Sequence, residues 1–167
     1  MAASRKDTEQ SRDHLSPEQR SWNMSRIRDR NSKPEIDLRS ALHRRGLRFR
    51  VHYSKLPGKP DIVFPRYRIV VFVNGCFWHR HEGCHLTTTP TKNREFWIKK
   101  FRSNVDRDKR QQSELEQMGW SVLVVWECEI ESDLAGAVTR VSRALCADEG
   151  DHDMAAEARR RYGRDQS

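Results

Sequence analysis

Residues 69 to 85 read Ile-Val-Val-Phe-Val-Asn-Gly-Cys-Phe-Trp-His-Arg-His-Glu-Gly-Cys-His. An apolar run stops at Gly75 and opens into Cys76, His79, His81, Cys84 and His85, five metal-capable or titratable side chains within ten residues. A packed core has no use for such a crowd, whereas a loop that holds a metal ion and touches a ligand does. Cys76, His81 and Cys84 fall within nine positions, and Cys128 follows the other strongly apolar run, which begins at Trp120. If the two runs are neighbouring strands, their ends bring the four residues together as a Cys₃His set suited to a closed, tetrahedral, structural zinc site. The competing reading is a set of unrelated buried thiols. Cys146 has no partner in the sequence and is expected to be a core thiol.

Three further residues carry titratable chemistry. His79 lies between the aromatic pair Phe77-Trp78 and the proposed ligand His81, and an imidazole with an unperturbed pKa near 6.5 suits a general base. Its plainer readings are a fifth metal neighbour or a surface residue. Asp61 opens a strand after Pro57-Gly58-Lys59-Pro60, where a carboxylate under a basic loop can hold magnesium, although aspartates after proline are commonly turn formers. Glu35 stands three residues after Ser32 and is accounted for by a capping box. Phe77 and Trp78 are large for a loop tip and could act as a wedge that unstacks bases. Lys100 and Asn104 are donors four apart on one helix face, able to meet the acceptors of a T·G pair in the major groove, although a solvated face is the commoner meaning.

These side chains need a frame. Ile69 to Val73 reads as a buried strand, paired as a hairpin with Asp61 to Phe64 across a turn at Pro65 to Arg68. Upstream, Leu47, Phe49, Val51 and Tyr53 alternate with polar residues and predict another strand. A helix is expected from Ser32 through Leu38, Ala41 and Leu42 to Gly46. A long helix capped by Asn93 is expected to carry Trp97, Phe101, Val105, Leu115 and Met118 on one face and to end at Gly119. Trp120 to Cys128 is apolar at nearly every position, which predicts a central strand covered on both faces. Leu134, Val138, Val141 and Leu145 predict a final amphipathic helix. The order implies an α/β fold with a mixed central sheet flanked by helices. One domain is expected over residues 16–147, between a disordered lead at 1–15 and a polar, disordered tail at 148–167. Within it, 16–30 opens with Ser16-Pro17-Glu18-Gln19 and mixes Trp22, Met24 and Ile27 with arginines, as an arm laid against nucleic acid or a helix packed on the body would.

Charge narrows the function. The net charge is +8, and residues 1–110 hold 26 Lys and Arg against 12 Asp and Glu, while residues 111–167 hold 6 against 12. A basic front favours a polyanion such as nucleic acid over a merely solvated surface. No apolar segment follows the polar start, so a reducing cytoplasm is expected, in which thiols near histidines are ligands rather than bridges. No run approaches the roughly 20 residues of a membrane span.

Leu56-Pro57-Gly58-Lys59-Pro60-Asp61, Val73-Asn74-Gly75-Cys76-Phe77-Trp78-His79, Glu95-Phe96-Trp97 and Val125-Trp126-Glu127-Cys128 together resemble the very short patch repair (Vsr) DNA mismatch endonucleases. The resemblance spans roughly Arg20 to Ile130. It implies a type II restriction endonuclease-like fold, one structural zinc, catalytic magnesium, and a nick 5′ of the thymine in T·G mismatches left by deamination of 5-methylcytosine. By position it makes Asp61 and the backbone carbonyl of Val73 magnesium ligands, His79 the base and Glu35 an acidic helper. It makes Cys76, His81, Cys84 and Cys128 the zinc ligands, and Phe77 and Trp78 the wedge, with Met24 approaching from the arm. Lys100 and Asn104 match the positions facing the mismatch. Asn74 stands where some members have histidine, Glu82-Gly83 lengthens the loop before Cys84 by one residue, Val73 replaces a hydroxyl residue, and no lysine of the restriction-enzyme type is found.

The expectation is therefore a monomeric endonuclease acting on double-stranded DNA. The resemblance also implies a partner methyltransferase, mismatch-repair proteins and a repair polymerase. The rival classes are a zinc-stabilised, non-catalytic module that binds distorted duplex and, among enzymes, a restriction nuclease cutting both strands.

Overall fold

The computed structural model describes residues 30–147. The arm expected at 16–30, with Met24, and the two tails therefore lie outside the described residues, apart from Arg30.

Helix α1 spans Lys33–Arg44. Its start is the capping box read from sequence: Ser32 Oγ accepts from the Glu35 amide, while the Ser32 amide donates to Glu35 Oε1 at 3.3 Å. Pro34 sits in the first turn, where a missing N–H costs nothing. Strand β1 is Ile62–Phe64, a 3-10 turn covers Pro65–Tyr67, and β2 is Ile69–Asn74. A four-residue helix, α2, follows at Cys76–His79, and the long α3 covers Arg94–Gln117. Strand β3 is Ser121–Trp126 and α4 is Glu127–Ser132. A last helix, α5, covers 134–147.

The sheet order is β1-β2-β3. β1 and β2 pair antiparallel and β2 and β3 pair parallel, with Asn74 opposite Trp126, so the sheet is mixed as expected. Side chains alternate across it. Ile62, Phe64, Ile69, Val71 and Val125 join Leu38 and Leu42 of α1, Ile130 of α4 and Val138, Val141 and Leu145 of α5 in one core. Val63 and Val70 point the other way, into a smaller core with Leu56 and Leu115 of α3. Period-two alternation thus serves two helical layers, one on each face.

Several expectations need correction. The run from Leu47 to Tyr53 is not a strand: among the described residues it makes one bridge to β1, Arg50 with Val63. Its extended path ends at His52, whose φ of 52° is left-handed, and Val51 is exposed. β3 is an edge strand among the described residues, with Val125 its one buried member. Its apolar character comes from half-buried side chains packed against flanking helices rather than from pairing on both sides. Asn93 precedes α3 with φ 57° and makes no side-chain cap bond. Met118 is exposed, and so is Cys146, which is no core thiol. No described helix is long and apolar enough to cross a membrane.

Leu115 is fully buried and fixes α3 to the sheet. Leu115→Ala is expected to lower stability by about 2–5 kcal/mol, measured by urea denaturation.

Candidate active site

Parallel pairing of β2 and β3 makes both strands end at the same edge of the sheet, and a helix springs from each end. α2 carries Cys76 and α4 carries Cys128. The metal-capable atoms of Cys76, His81, Cys84 and Cys128 all lie within 4.8 Å of one another. His81 Nδ1 is 3.6 Å from Cys76 Sγ and 3.3 Å from Cys128 Sγ. A tetrahedral ion with bonds of about 2.0–2.3 Å has ligand–ligand edges of roughly 3.3–3.8 Å, so these spacings and the three-thiol, one-imidazole donor set fit a metal ion. The His81 ring is held flat against Trp126, with centroids 4.2 Å apart and planes 6° from parallel. Burial pushes the Cys76 thiol up to about 12, and burial likewise raises Cys128. The backbone amide of Leu86 lowers Cys84. A buried thiol of this kind ionises when a cation takes its proton's place.

The expectation that Gly75 opens a loop is corrected by α2. Its single turn sends successive side chains to different tasks. Cys76 turns to the metal-capable cluster. Phe77 and Trp78 are not on a free loop tip: Phe77 stacks edge-on against Phe101 and Trp97, at centroid distances of 5.1 and 5.6 Å. Trp78 lies 5.9 Å from Trp97. Four large rings thereby tie α2 to α3. Arg80 closes the turn in a left-handed conformation, lies 4.4 Å over Phe101 and donates to the Thr88 carbonyl at 2.8 Å.

His79 faces a groove of about 1180 Å³. Glu35, Asp61, Val73, Phe77, Trp78, Lys100 and Asn104 line the same groove. The structure therefore gathers every described residue singled out for catalysis or DNA contact along one groove, whose lining does not include the Cys/His cluster. Lys100 is exposed, while Asn104 is buried and its Nδ2 donates to the Trp78 carbonyl at 3.3 Å.

Asp61 and Glu35 are held very differently. Glu35 is saturated: Oε1 accepts from the Ser32 amide and hydroxyl, and Oε2 accepts from the Asn31 amide and Arg39 Nη2. Its capping role accounts for its place. Asp61 Oδ2 accepts from the Val73 amide at 2.8 Å, and Oδ1 lies 3.9 Å from Arg39 Nη2. Burial pushes the Asp61 carboxyl up to about 6, against the opposing Val73 hydrogen bond, and the nearby Glu35 charge adds to the rise. Such a carboxylate is short of compensating charge, which is the condition under which a divalent cation is held best.

Sequence reading missed Asp108. His79 Nδ1 and Asp108 Oδ2 are 2.5 Å apart. Burial works to raise the Asp108 carboxyl, but the His79 hydrogen bond and charge, with Arg107, hold it below the usual range. The contact leaves the other ring nitrogen of His79 unengaged by Asp108. The signal was present: Lys100, Asn104 and Asp108 form one stripe at four-residue spacing, and extending the pair by a turn reaches it. Arg39 was missed as well, because no short motif links an arginine in α1 to an aspartate before β1.

A family model described as DNA mismatch endonuclease Vsr matches residues 12–85. The DNA mismatch endonuclease Vsr of Escherichia coli is 48% identical over 111 residues, covering 66% of this chain and 70% of the relative. The type II nicking enzyme V.XorIIP of Xanthomonas oryzae is 47% identical over 133 residues, covering 80% of this chain and 96% of the relative. The chain belongs to the Vsr family. It is a DNA endonuclease, so the groove of this Vsr protein is the surface on which a nuclease site has to be sought. A second nicking enzyme, V.NmeAIP of Neisseria meningitidis, is 40% identical over 120 residues, covering 72% of this chain and 85% of the relative. The non-catalytic binding module falls away with that membership.

The raised Asp61 carboxyl has a stability consequence with a definite sign. The folded state keeps its proton up to about pH 6 and the unfolded state to about 3.8. The contribution is thus fully present below 3.8 and is lost as pH rises through 6. Without added magnesium, Asp61→Asn is expected to stabilise the protein by about 3 kcal/mol at pH 8 and far less at pH 4. Urea denaturation at the two pH values measures the difference.

Proposed function

We propose that this endonuclease nicks one strand of duplex DNA on the 5′ side of the thymine in a T·G mismatch, by magnesium-dependent hydrolysis on a restriction endonuclease-like scaffold. The observation that carries the chemistry is that undercompensated Asp61 and the His79–Asp108 pair line one groove. The mismatch reading rests on family membership and on the aromatic and donor side chains beside that pair.

Asp61 and the Val73 carbonyl are the residues to hold magnesium, and their all-oxygen donor chemistry suits it. When bound, the ion supplies charge neutralisation for the phosphoryl oxygens. His79 takes a proton from the attacking water through the nitrogen not bound to Asp108. Asp108 fixes the ring's tautomer and balances the charge it gains, as an orienting carboxylate does for other catalytic histidines. The water oxygen bonds to phosphorus as the bond to the 3′ oxygen breaks, and the departing oxygen takes a proton from solvent, leaving a 5′-phosphate and a 3′-hydroxyl. Arg39 and the Ser32 cap hold Glu35 beside the site, where it is an acidic helper by its charge.

Phe77 and Trp78 enter the base stack as a wedge, at a cost smallest for an already weakened pair. Met24, outside the described residues, approaches from the arm. Lys100 reads acceptors of the mismatch, and Asn104 joins it once its bond to the Trp78 carbonyl is exchanged for a base. Cys76, His81, Cys84 and Cys128 hold a structural zinc. The protein acts as a cytoplasmic monomer whose sequence context matches that of a cytosine methyltransferase, and its nick is passed to repair proteins and a polymerase.

End-labelled duplexes with one T·G pair or none, with and without magnesium, test the reading on a denaturing gel. The expected product is a single nick 5′ of the mismatched thymine, absent without magnesium and reduced at least about 10³-fold by Asp61→Ala. Equal nicking of the paired duplex would discard the mismatch assignment, and an active Asp61→Ala would discard the metal assignment.

Zinc is tested separately by metal content. The protein is expected to hold one zinc per chain, and Cys84→Ser is expected to lose it together with a large part of the thermal stability. A Cys84→Ser protein melting like the parent would remove the structural role.

A further inference from the structure

Helix α3 has a second face that the nicking chemistry does not use. Lys99, Arg102, Ser103, Asp106, Arg107 and Arg110 line a shallow depression of about 410 Å³. Their spacings along the helix put them on one side of it, away from buried Trp97, Phe101 and Leu115. Each is exposed. Arg107 lines both this depression and the large groove, so the two surfaces are continuous.

Folding gives no reason for this stripe. Residues 94–112 hold seven Lys and Arg against three Asp and Glu, and Asp106 is the one acid in the depression. Lys99 and Arg102 make no ion pair among the described residues, while Arg110 is 3.9 Å from Glu114 and Arg107 is 3.3 Å from Asp108. Cations three apart on a helix, as Lys99 with Arg102 and Arg107 with Arg110, repel each other by a few tenths of a kcal/mol. An exposed stripe that starts at a nuclease groove and carries two cations, Lys99 and Arg102, without an ion-pair partner among the described residues is complementary to a row of phosphates.

We propose that this outer face of α3 is a phosphate track that holds the backbone of the duplex flanking the cut site. From Lys99 to Arg110 the helix rises about 16 Å, the axial length of roughly five base pairs. The track rests on the protein being a DNA endonuclease and not on which base pair it reads. It places the flank by charge alone, and so carries no sequence preference.

The test compares two triple variants that remove the same charge. Lys99→Gln with Arg102→Gln and Arg110→Gln empties the track, and Arg44→Gln with Arg45→Gln and Arg48→Gln removes exposed cations at the far end of α1. Binding to an uncut duplex extending well past the nick site is measured without added magnesium across a salt series. The track triple is expected to lower the slope of log Kd against log salt by about 2–3 and to weaken binding at least about tenfold at 0.1 M salt, and the α1 triple to change the slope by less than about 1. An unchanged slope for the track triple, or an equal fall for both triples, would overturn the proposal. Melting curves check that both fold, and Arg102→Gln alone, with an expected fall of about 0.9, serves if the triple does not. The series is run on T·G and fully paired duplexes: the slope change is expected on both, whereas a wrong mismatch assignment would show as equal affinities for the two.

Discussion

The parallel pairing of β2 with β3 is the constraint on which the rest depends. Antiparallel neighbours would end at opposite edges of the sheet. Because these two run the same way, with Asn74 beside Trp126, α2 and α4 begin side by side and Cys76 can meet Cys128 across a gap of more than fifty residues in sequence. The parallel arrangement requires a long crossover, which α3 supplies. The crossover is itself the wall of the groove, so one topological choice provides the metal-capable cluster, the helix that carries Asp108, and the aromatic seat for Phe77 and Trp78.

Opposite the cluster, α1 and β1 meet in a small electrostatic compromise. Arg39 is nearly buried, bonds Glu35 and lies near Asp61, and its Nε has no partner among the described residues. Two carboxylates share one guanidinium. Glu35 takes most of the compensation together with three other donors, and Asp61 is left wanting. The imbalance separates a buried carboxylate that shapes the helix start from a half-buried one left short of compensating charge, at side-chain exposures of 7% and 21%.

Local chemistry was legible in the sequence where it is enforced by neighbours along the chain. The Ser32–Glu35 box, the β1–β2 hairpin, the face of α3 from Trp97 to Leu115 and the Cys/His spacing all rest on short-range geometry. The strand expected at Leu47 to Tyr53 failed because alternation fixes which side chains are buried without fixing whether a partner strand lies alongside, and the turn at His52 removes it. β3 was taken for a central strand because an apolar edge strand covered by helices has the same composition. Asp108 and Arg39 were invisible for a different reason: each acts on a residue that only the tertiary fold brings near.

Helix α2 is a single turn, too short to persist by itself. It is held at one end by Cys76 in the cluster and at the other by His79 on Asp108, with aromatic packing between. A nascent chain that has synthesised the Cys76–His79 stretch still lacks Asp108 and Cys128. Such a chain has the residues of the cluster and of the groove without the contacts that seat them. Both anchors of α2 lie later in the chain than α2 itself, at Asp108 and Cys128, so the turn takes its place only once those residues have folded beside it.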